Sequence, residues 1–245
     1  MKKAYFISDL HLGASYIDGE KHREKRVCEF LESIAHDAGS LYLVGDILDY
    51  WFEYKTVVPR GYVRFFGQLA RMADSGVKIT WFIGNHDIWL FDYLRDEIGI
   101  TVIDGALSTE ILGKRFYITH GDGVGDLPLG FRFIRAMFRN RILQKLYSGI
   151  HPRWTIPFAH RWSSHSRMSE NEVPFSPDND NLINFAKSMH SRHPDINYFV
   201  FGHRHVMCDQ PISPSCRAII LGDWLSHFSY GVFDGQNFAL KNAPK

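Results

Sequence analysis

The sequence of 245 residues has few cysteines, no long apolar run and almost no net charge. Its three cysteines, Cys28, Cys208 and Cys216, are too few and too irregularly spaced for a disulfide scaffold or a zinc ribbon. No apolar stretch is long enough to cross a bilayer, and the N-terminal segment lacks the pattern of a secretory signal. The formal net charge of +1 does not indicate a polyanionic partner. These absences predict a cytoplasmic protein with reduced thiols, in which any membrane contact is peripheral.

Acidic residues are missing altogether between Leu127 and Ser169. This interval is rich in aromatic residues, and it contains eight basic ones: Arg132, Arg135, Arg139, Arg141, Lys145, Arg153, Arg161 and Arg167. Such a composition fits a cap that meets a substrate or a membrane surface. It fits equally well a solvated lid helix whose aromatic residues pack on the main domain.

We place this cap as a helical insertion at residues 125–177 within a single domain covering residues 1–245. The pattern predicts a helix from Phe131 to Tyr147, a break from Gly149 to Pro157, and further helix through Ser169.

Outside the cap, short apolar runs alternate with helix-like segments. Two segments have apolar residues at helical spacing, His22 to Ala38 and Tyr62 to Ala73. A late turn and strand are expected at Gly235 to Leu240. The runs that predict strands covered on both faces are Ala4 to Ile7, Leu41 to Val44, Val77 to Ile83, Phe116 to Thr119, Tyr198 to Phe201 and Ala218 to Leu221. Strands that alternate with helices indicate an α/β layered fold.

Polar clusters follow five of these strands, at the point where each strand ends. The clusters are Asp9-x-His11, Gly45-Asp46-x-x-Asp49, Gly84-Asn85-His86-Asp87, His120-Gly121-Asp122 and Gly202-His203-x-His205. In open α/β sheets, ligands bind at the carboxyl ends of the strands. The five clusters are therefore expected to meet at one edge.

The side chains in these clusters predict a metal site. Carboxylate, imidazole and amide groups are ligands for Mn, Fe and Zn ions, and the absence of cysteine argues against a structural zinc site. Two cations a few ångströms apart can hold a phosphoryl group and activate a water molecule. Each motif alone could be an ordinary turn or a hydrogen-bonded surface group. Five of them in this order favour phosphate chemistry that depends on metal ions.

Together the five motifs resemble the signature of the calcineurin-like metallophosphoesterases, over nearly the whole chain outside the cap. The resemblance implies a sandwich of two mixed β-sheets flanked by helices. It also implies two ligand sets that share a bridging Asp46: Asp9, His11, Asp46 and His205 for one cation, and Asp46, Asn85, His120 and His203 for the other. In this family the histidine of the Gly-Asn-His-Asp motif acts on the substrate phosphate. That residue is His86 here, and Asp87 is expected to orient it. Asp49 and Asp122 are expected to lie behind the ligands.

Within this family, the chain is similar to the UDP-2,3-diacylglucosamine diphosphatases of lipid A biosynthesis. The similarity lies in the segments 5–12, 43–51 and 221–224 and in an insertion that follows Asp122. It implies hydrolysis of the diphosphate bond of UDP-2,3-diacylglucosamine, which yields UMP and 2,3-diacylglucosamine 1-phosphate (lipid X). Many of those enzymes have an arginine at the position of His86. The substrate contacts that the resemblance implies are Asn85, His86, Asp126, Ser164, Arg167 and His203.

The resemblance also implies two divalent cations, with Mn²⁺ expected and Fe or Zn allowed by the ligand types. It implies a location on the cytoplasmic face of the inner membrane, without a nucleic-acid partner or an obligate protein partner. Three alternatives remain open from the sequence. They are an esterase for a soluble nucleotide or another phosphodiester, a nuclease or nucleic-acid-binding protein that uses the basic segment, and a metal-binding scaffold without catalysis.

Overall fold

The computed structural model describes residues 2–14, 19–125, 129–159 and 175–244. Its strands are β1 (Lys3–Ile7), β2 (Ala38–Val44), β3 (Lys78–Phe82), β4 (Thr101–Ile103), β5 (Ala106–Ile111), β6 (Lys114–Thr119), β7 (Tyr198–Phe201), β8 (Met207–Ser213), β9 (Cys216–Leu221), β10 (Ser229–Phe233) and β11 (Phe238–Asn242). Its helices are α1 (Glu20–Ile34), α2 (Val63–Asp74), α3 (Tyr93–Ile98), α4 (Leu129–Arg139), α5 (Arg141–Ser148), α6 (described over 152–159) and α7 (Asn181–Arg192).

The strands form two mixed sheets. The six-stranded sheet has the order β11-β10-β1-β2-β3-β4, and the five-stranded sheet has the order β5-β6-β7-β9-β8. Strands β1 to β4 pair in parallel in the first sheet, as do β6, β7 and β9 in the second. The remaining strands join antiparallel at the edges. The two-sheet α/β sandwich expected from the sequence is confirmed.

The apolar residues of the strands fill three layers of core. Phe6 of β1 points into the space between the sheets, where its ring lies 5.7 Å from that of Phe116. Its neighbours Tyr5 and Ile7 face the other way and pack under α1 and α2. A third cluster lies between the second sheet and α7. Central strands are thus covered on both faces, which explains their continuous apolar runs.

Two helix boundaries differ from the prediction. The helix expected from His22 to Ala38 begins at Glu20 and ends at Ile34. It ends early because Asp37 comes directly before β2 and is bound to β1, where its carboxylate accepts hydrogen bonds from Lys3 Nζ at 2.6 Å and Tyr5 Oη at 2.8 Å. The second predicted helix corresponds to α2 with a shift of one residue.

The cap contains α4, α5 and α6. The single helix expected from Phe131 to Tyr147 is two helices, because the Asn140 side chain accepts the N–H groups of Ile142 and Leu143 and so begins α5. The break predicted from Gly149 to Pro157 is wrong beyond His151, since residues 152–159 are helical. Proline at position 152 is compatible with this, because the first residue of a helix needs no N–H partner.

The structure has features of both interpretations of the cap, a lid packed on the main domain and an exposed binding surface. Trp89 of the main domain stacks on Tyr147, with ring centroids 5.2 Å apart, and donates its indole N–H to the Phe138 carbonyl at 2.9 Å. Other large apolar side chains of the cap remain exposed, including Phe133 at 71% and Ile142 at 71%. Among the described helices, none has the length and apolarity to cross a membrane.

Candidate metal centre

The five polar turns meet at one rim. Asp9 and His11 follow β1, Asp46 follows β2 and Asn85 follows β3, all in the first sheet. His120 follows β6, and His203 and His205 follow β7, in the second sheet. The carboxyl ends of the two sets of parallel strands therefore contribute to a single site.

The first predicted ligand set is compact. One donor atom each of Asp9, His11 and His205 lies within 4.8 Å of the others. Nε2 of His205 is 3.3 Å from Asp9 Oδ1, and Nε2 of His11 is 3.7 Å from the same oxygen. Nε2 of His11 also lies 3.8 Å from Asp46 Oδ2.

The second predicted set adjoins the first through Asp46. Donor atoms of Asp46, His120 and His203 lie within 4.8 Å of one another. Nε2 of His120 is 3.3 Å from Asp46 Oδ2 and 3.2 Å from Asn85 Oδ1. The same oxygen of Asp46 thus faces both histidine sets.

The backbone at these turns adopts an unusual conformation. Eight residues other than glycine have a positive φ in the described part of the chain. Five of them are predicted ligands: Asp9, His11, Asp46, His203 and His205. Left-handed backbone is uncommon outside glycine, and it concentrates at functional sites where the surrounding structure maintains it. The backbone is bent here so that the side chains converge.

Two glycines leave room for the ligands. A Cβ atom on Gly84 would collide with the Asp46 carboxylate, and one on Gly45 would collide with the His120 ring. Gly45 also has a φ of 83°, which favours glycine in any case. These positions explain why glycine precedes the polar residues in two of the motifs.

The donor set fits a pair of divalent cations. Oδ1 of Asp9 is buried, and it is one of the described side-chain oxygens without a hydrogen-bond partner. A buried carboxylate oxygen normally has a partner, and a cation would supply one. His205 and His11 present nitrogen atoms to this same oxygen.

The protonation states of Asp46 and His203 also favour cation binding. Burial opposes ionisation of Asp46, but His120 and His86 outweigh it and hold the pKa of this carboxyl well below its usual range. Desolvation of the His203 ring, helped by nearby His120, lowers the pKa of His203 to about 4. At pH 7 the site therefore offers an ionised Asp46 carboxylate and a neutral His203 imidazole, which are the forms that bind metals. Burial opposes protonation of His120, but the Asp46 carboxylate outweighs it and raises the pKa of this ring, so a cation there would replace a proton.

Three of the ligand histidines have a defined partner at Nδ1: His120, His11 and, as described below, His205. Nδ1 of His120 lies 2.9 Å from the Val44 carbonyl, to which it must donate. Nδ1 of His11 lies 3.4 Å from Asp49 Oδ1. Both arrangements direct Nε2 at the cluster. Asp49 therefore lies behind the ligands, where the sequence placed it.

Asp122 was also predicted to lie behind the ligands, and it ties the cap to the site. It is buried and accepts a hydrogen bond from Arg135 Nε at 2.9 Å. Arg135 belongs to α4, so this ion pair joins the turn after β6 to the cap.

The predicted role of Asp87 as the residue that orients His86 is not what the structure shows. The Asp87 carboxylate is fully buried and accepts three hydrogen bonds, from the N–H groups of Ile47 and Gly84 and from the indole of Trp81. The ring of His86 instead lies beside Asp49, whose carbonyl accepts from Nδ1 at 3.1 Å. Asp87 holds the turns after β2 and β3 together. The Gly-Asn-His-Asp motif pointed to Asp87 because it adjoins His86 in the chain, whereas Asp49 is 37 residues away and comes close only in the fold.

A residue that the sequence argument passed over also contacts a ligand. Oδ2 of Asp223 lies 3.3 Å from Nδ1 of His205. Asp223 follows β9 in a Leu-Gly-Asp sequence, which repeats the strand–Gly–Asp pattern of Val44-Gly45-Asp46. That repetition is the signal that could have identified it.

The predicted substrate contacts divide into two groups. Asn85, His86 and His203 are at the rim with the metal ligands. Asp126, Ser164 and Arg167 lie outside the described residues.

A two-sheet sandwich with this rim is the architecture of a metal-dependent phosphoester hydrolase. Residues 2–207 match the calcineurin-like phosphoesterase family, and the chain belongs to that family. A protein of Porphyromonas gingivalis named UDP-2,3-diacylglucosamine hydrolase is 39% identical, over 98% of this chain and 97% of its own length. A protein of the same name from Nitrosococcus oceani is 26% identical, over 90% of this chain and 86% of its own. Among solved structures, the phosphoesterase Yfce from E. coli is 16% identical with a TM-score of 0.47, over 98% of this chain and 92% of that one.

Proposed function

We propose that this chain hydrolyses the diphosphate bond of UDP-2,3-diacylglucosamine in lipid A biosynthesis. The products would be UMP and 2,3-diacylglucosamine 1-phosphate. The main support is the 39% identical relative of that name, whose similarity extends over the catalytic turns and the cap alike. The metal rim suits the phosphates, and the exposed apolar side chains of the cap suit acyl chains.

In the proposed reaction, the oxygen of a water molecule forms a bond to one phosphorus, and the bond from that phosphorus to the bridging oxygen breaks. The bridging oxygen leaves with the other phosphate. Two divalent cations bound to the rim would activate the water and neutralise charge on the phosphoryl oxygens. The residues that would hold them are Asp9, His11, Asp46, Asn85, His120, His203 and His205. We propose Mn²⁺ as the cation, since oxygen and imidazole ligands without thiolate suit it.

His86 would act on the phosphate directly. Its Nδ1 donates to the Asp49 carbonyl, so the ring is fixed at the rim. Its backbone N–H binds Asp46, which places it beside both ligand sets. A protonated His86 would donate its Nε2–H to a phosphoryl oxygen, where negative charge develops during the reaction. Asp49 Oδ1, 3.5 Å from Nδ1, would stabilise the positive charge of the ring.

The cap would receive the acyl chains. Ten of the fourteen exposed large apolar side chains among the described residues belong to it: Leu129, Phe131, Phe133, Ile134, Ile142, Leu143, Leu146, Ile150, Trp154 and Phe158. A monomer rarely exposes so concentrated an apolar surface without a binding role. The ion pair between Arg135 and Asp122 keeps this surface next to the metal rim.

We further propose that the protein is peripheral on the cytoplasmic face of the inner membrane. The support is the combination of exposed apolar side chains with basic residues and no acidic ones from Leu127 to Ser169. Each basic residue near an anionic membrane contributes on the order of 1 kcal/mol. The basic residues alternate with apolar ones at helical spacing, which favours a lipid surface over nucleic acid. The proposal includes no obligate protein partner.

The direct test is UMP release from UDP-2,3-diacylglucosamine by the purified protein with Mn²⁺. UDP-glucosamine without acyl chains serves as the matched substrate. The proposal predicts rapid release of UMP only from the acylated compound. Equal rates for both compounds, or a preference for simple nucleotide esters, would instead favour an esterase for soluble phosphodiesters.

A further inference from the structure

His205 is one of the most exposed of the predicted metal ligands, with 29% of its side chain accessible. An imidazole on the surface of a turn can rotate, and either of its nitrogens could face a cation. The atom that meets Asp9 is Nε2, at 3.3 Å. The opposite atom, Nδ1, lies 3.3 Å from Oδ2 of Asp223.

Asp223 is itself held in place. It is 4% exposed, although it lies in a turn between β9 and β10. Its other oxygen, Oδ1, accepts the backbone N–H groups of Leu225, Ser226 and His227 at 3.2, 2.8 and 2.9 Å. With one oxygen occupied by three backbone donors, the carboxylate cannot turn freely, and Oδ2 stays directed at His205.

This geometry has a consequence for the metal centre. An ionised carboxylate has no proton to donate and can only accept hydrogen bonds. Nδ1 of His205 must therefore be the protonated nitrogen. Nε2 then keeps its lone pair and faces Asp9. A carboxylate behind a ligand histidine fixes the tautomer and the ring orientation, and makes the nitrogen a better donor to the metal.

We infer that Asp223 is the positioning residue for His205, and that it tightens the cation site formed by Asp9, His11, Asp46 and His205. The inference rests on the proposed two-metal site. The other cation site, around Asn85 and His120, has no described contact with Asp223. Loss of Asp223 should therefore weaken one cation and leave the other unchanged.

The test is a Mn²⁺ titration of the full chain after chelation, with free Mn²⁺ measured by electron paramagnetic resonance. Asp223→Asn should lower the affinity of one of two sites by about 10- to 100-fold and leave the second as in the wild type. Glu53→Gln is the matched control. Glu53 is also a buried acid that accepts three backbone N–H groups, from Phe91, Asp92 and Tyr93, but it has no described contact with a predicted ligand. Both sites should keep wild-type affinity in the control.

Unchanged affinity at both sites in Asp223→Asn would overturn the inference. Equal weakening of both sites would do so too, since that would indicate a general structural role. If Asp223→Asn does not fold, the ¹⁵N chemical shifts of the His205 ring nitrogens can be measured in the zinc-loaded wild type instead. His205 must then carry its proton on Nδ1 and zinc on Nε2, and the reverse assignment would contradict the inference. The Mn²⁺ titration uses no lipid, so a negative result there would not contradict the proposed reaction. A negative result in the UMP-release assay would likewise not contradict the role of Asp223.

Discussion

The backbone N–H of His86 donates a 2.8 Å hydrogen bond to Oδ1 of Asp46. This bond joins the turn after β3 to the turn after β2 and occupies one oxygen of the carboxylate. The other oxygen, Oδ2, lies 3.8 Å from His11 and 3.3 Å from His120. Asp46 would therefore hold both cations, and its Oδ2 is the oxygen that faces the histidines of both sets.

Replacing Asp46 should therefore abolish catalysis. Asp46→Ala removes the shared ligand, and metal ions contribute several kcal/mol to stabilising the reaction. We expect UMP release to fall by about a thousandfold or more. Asp195→Asn, which removes an exposed carboxylate whose one ion pair among the described residues is with Arg115, should retain wild-type activity. Near-normal activity of Asp46→Ala would disprove the bridging role.

His86→Ala should slow the reaction without releasing metal. The substitution removes a donor to the phosphoryl oxygens, which typically costs about 10²–10³ in kcat. The backbone N–H that binds Asp46 remains, so Mn²⁺ stoichiometry should be unchanged. Because arginine would also supply an N–H donor to the phosphoryl oxygens, His86→Arg should be more active than His86→Ala. Parallel loss of metal and activity in His86→Ala would instead indicate that His86 is a ligand.

The close contact between Gly84 and Asp46 predicts a strong effect of a single methyl group. Gly84→Ala forces the Asp46 carboxylate to move, and overpacking of this kind destabilises a fold by about 1–3 kcal/mol. Thermal unfolding and Mn²⁺ binding should both show the loss. Gly67→Ala is the control, since Gly67 lies within α2 and an added Cβ would meet no atom within 4 Å. That variant should be slightly more stable, by about 0.5–1 kcal/mol. Wild-type metal affinity in Gly84→Ala would refute the steric argument.

The cysteines should be unreactive in the folded protein. Burial raises the pKa of both Cys28 and Cys216 to about 11, and it raises that of Cys208 as well. The raised pKa favours the thiol at neutral pH, so at pH 8 only about one molecule in a thousand would carry the thiolate of Cys28 or Cys216. Iodoacetamide should label them slowly until pH approaches 11, and rapidly at pH 8 once guanidinium unfolds the chain. Equal labelling rates in both states would contradict the burial.

The apolar residues of α5 should contribute to membrane binding. Ile142 and Leu146 are 71% and 66% exposed and lie one turn apart. Burying such a side chain contributes about 1.5–3 kcal/mol, so Ile142→Ser with Leu146→Ser should weaken co-sedimentation with anionic vesicles at least tenfold. Val63→Ser is the matched control, because Val63 is 79% exposed on the main domain. If the control weakens binding as much as the double variant, the cap is not the membrane surface.

The residues of the site could be predicted from the sequence more completely than the pairing of the strands around it. Strand β7 was predicted at its observed bounds, Tyr198–Phe201, because an apolar run between polar turns marks a buried strand clearly. The five turns could be grouped because their side chains share one chemistry. Which sheet each strand joins could not be predicted, since pairing between β1 and β10 depends on residues more than 200 positions apart.

Contacts behind the ligands were also beyond the sequence argument. Asp87 is next to His86 in the chain, whereas Asp49 is 37 residues away, and only the fold shows that Asp49 lies beside the His86 ring. Asp223 lies 18 residues from His205, and its Leu-Gly-Asp sequence does not show which histidine it contacts. The cap was predictable as helical, but its division at Asn140 depends on a local side-chain bond.

The most direct test of the two-cation centre is anomalous diffraction from crystals soaked in Mn²⁺. We predict two manganese peaks a few ångströms apart, with Asp46 between them. One should lie among Asp9, His11 and His205, and the other among Asn85, His120 and His203. A single peak, or manganese bound away from this rim, would contradict the account.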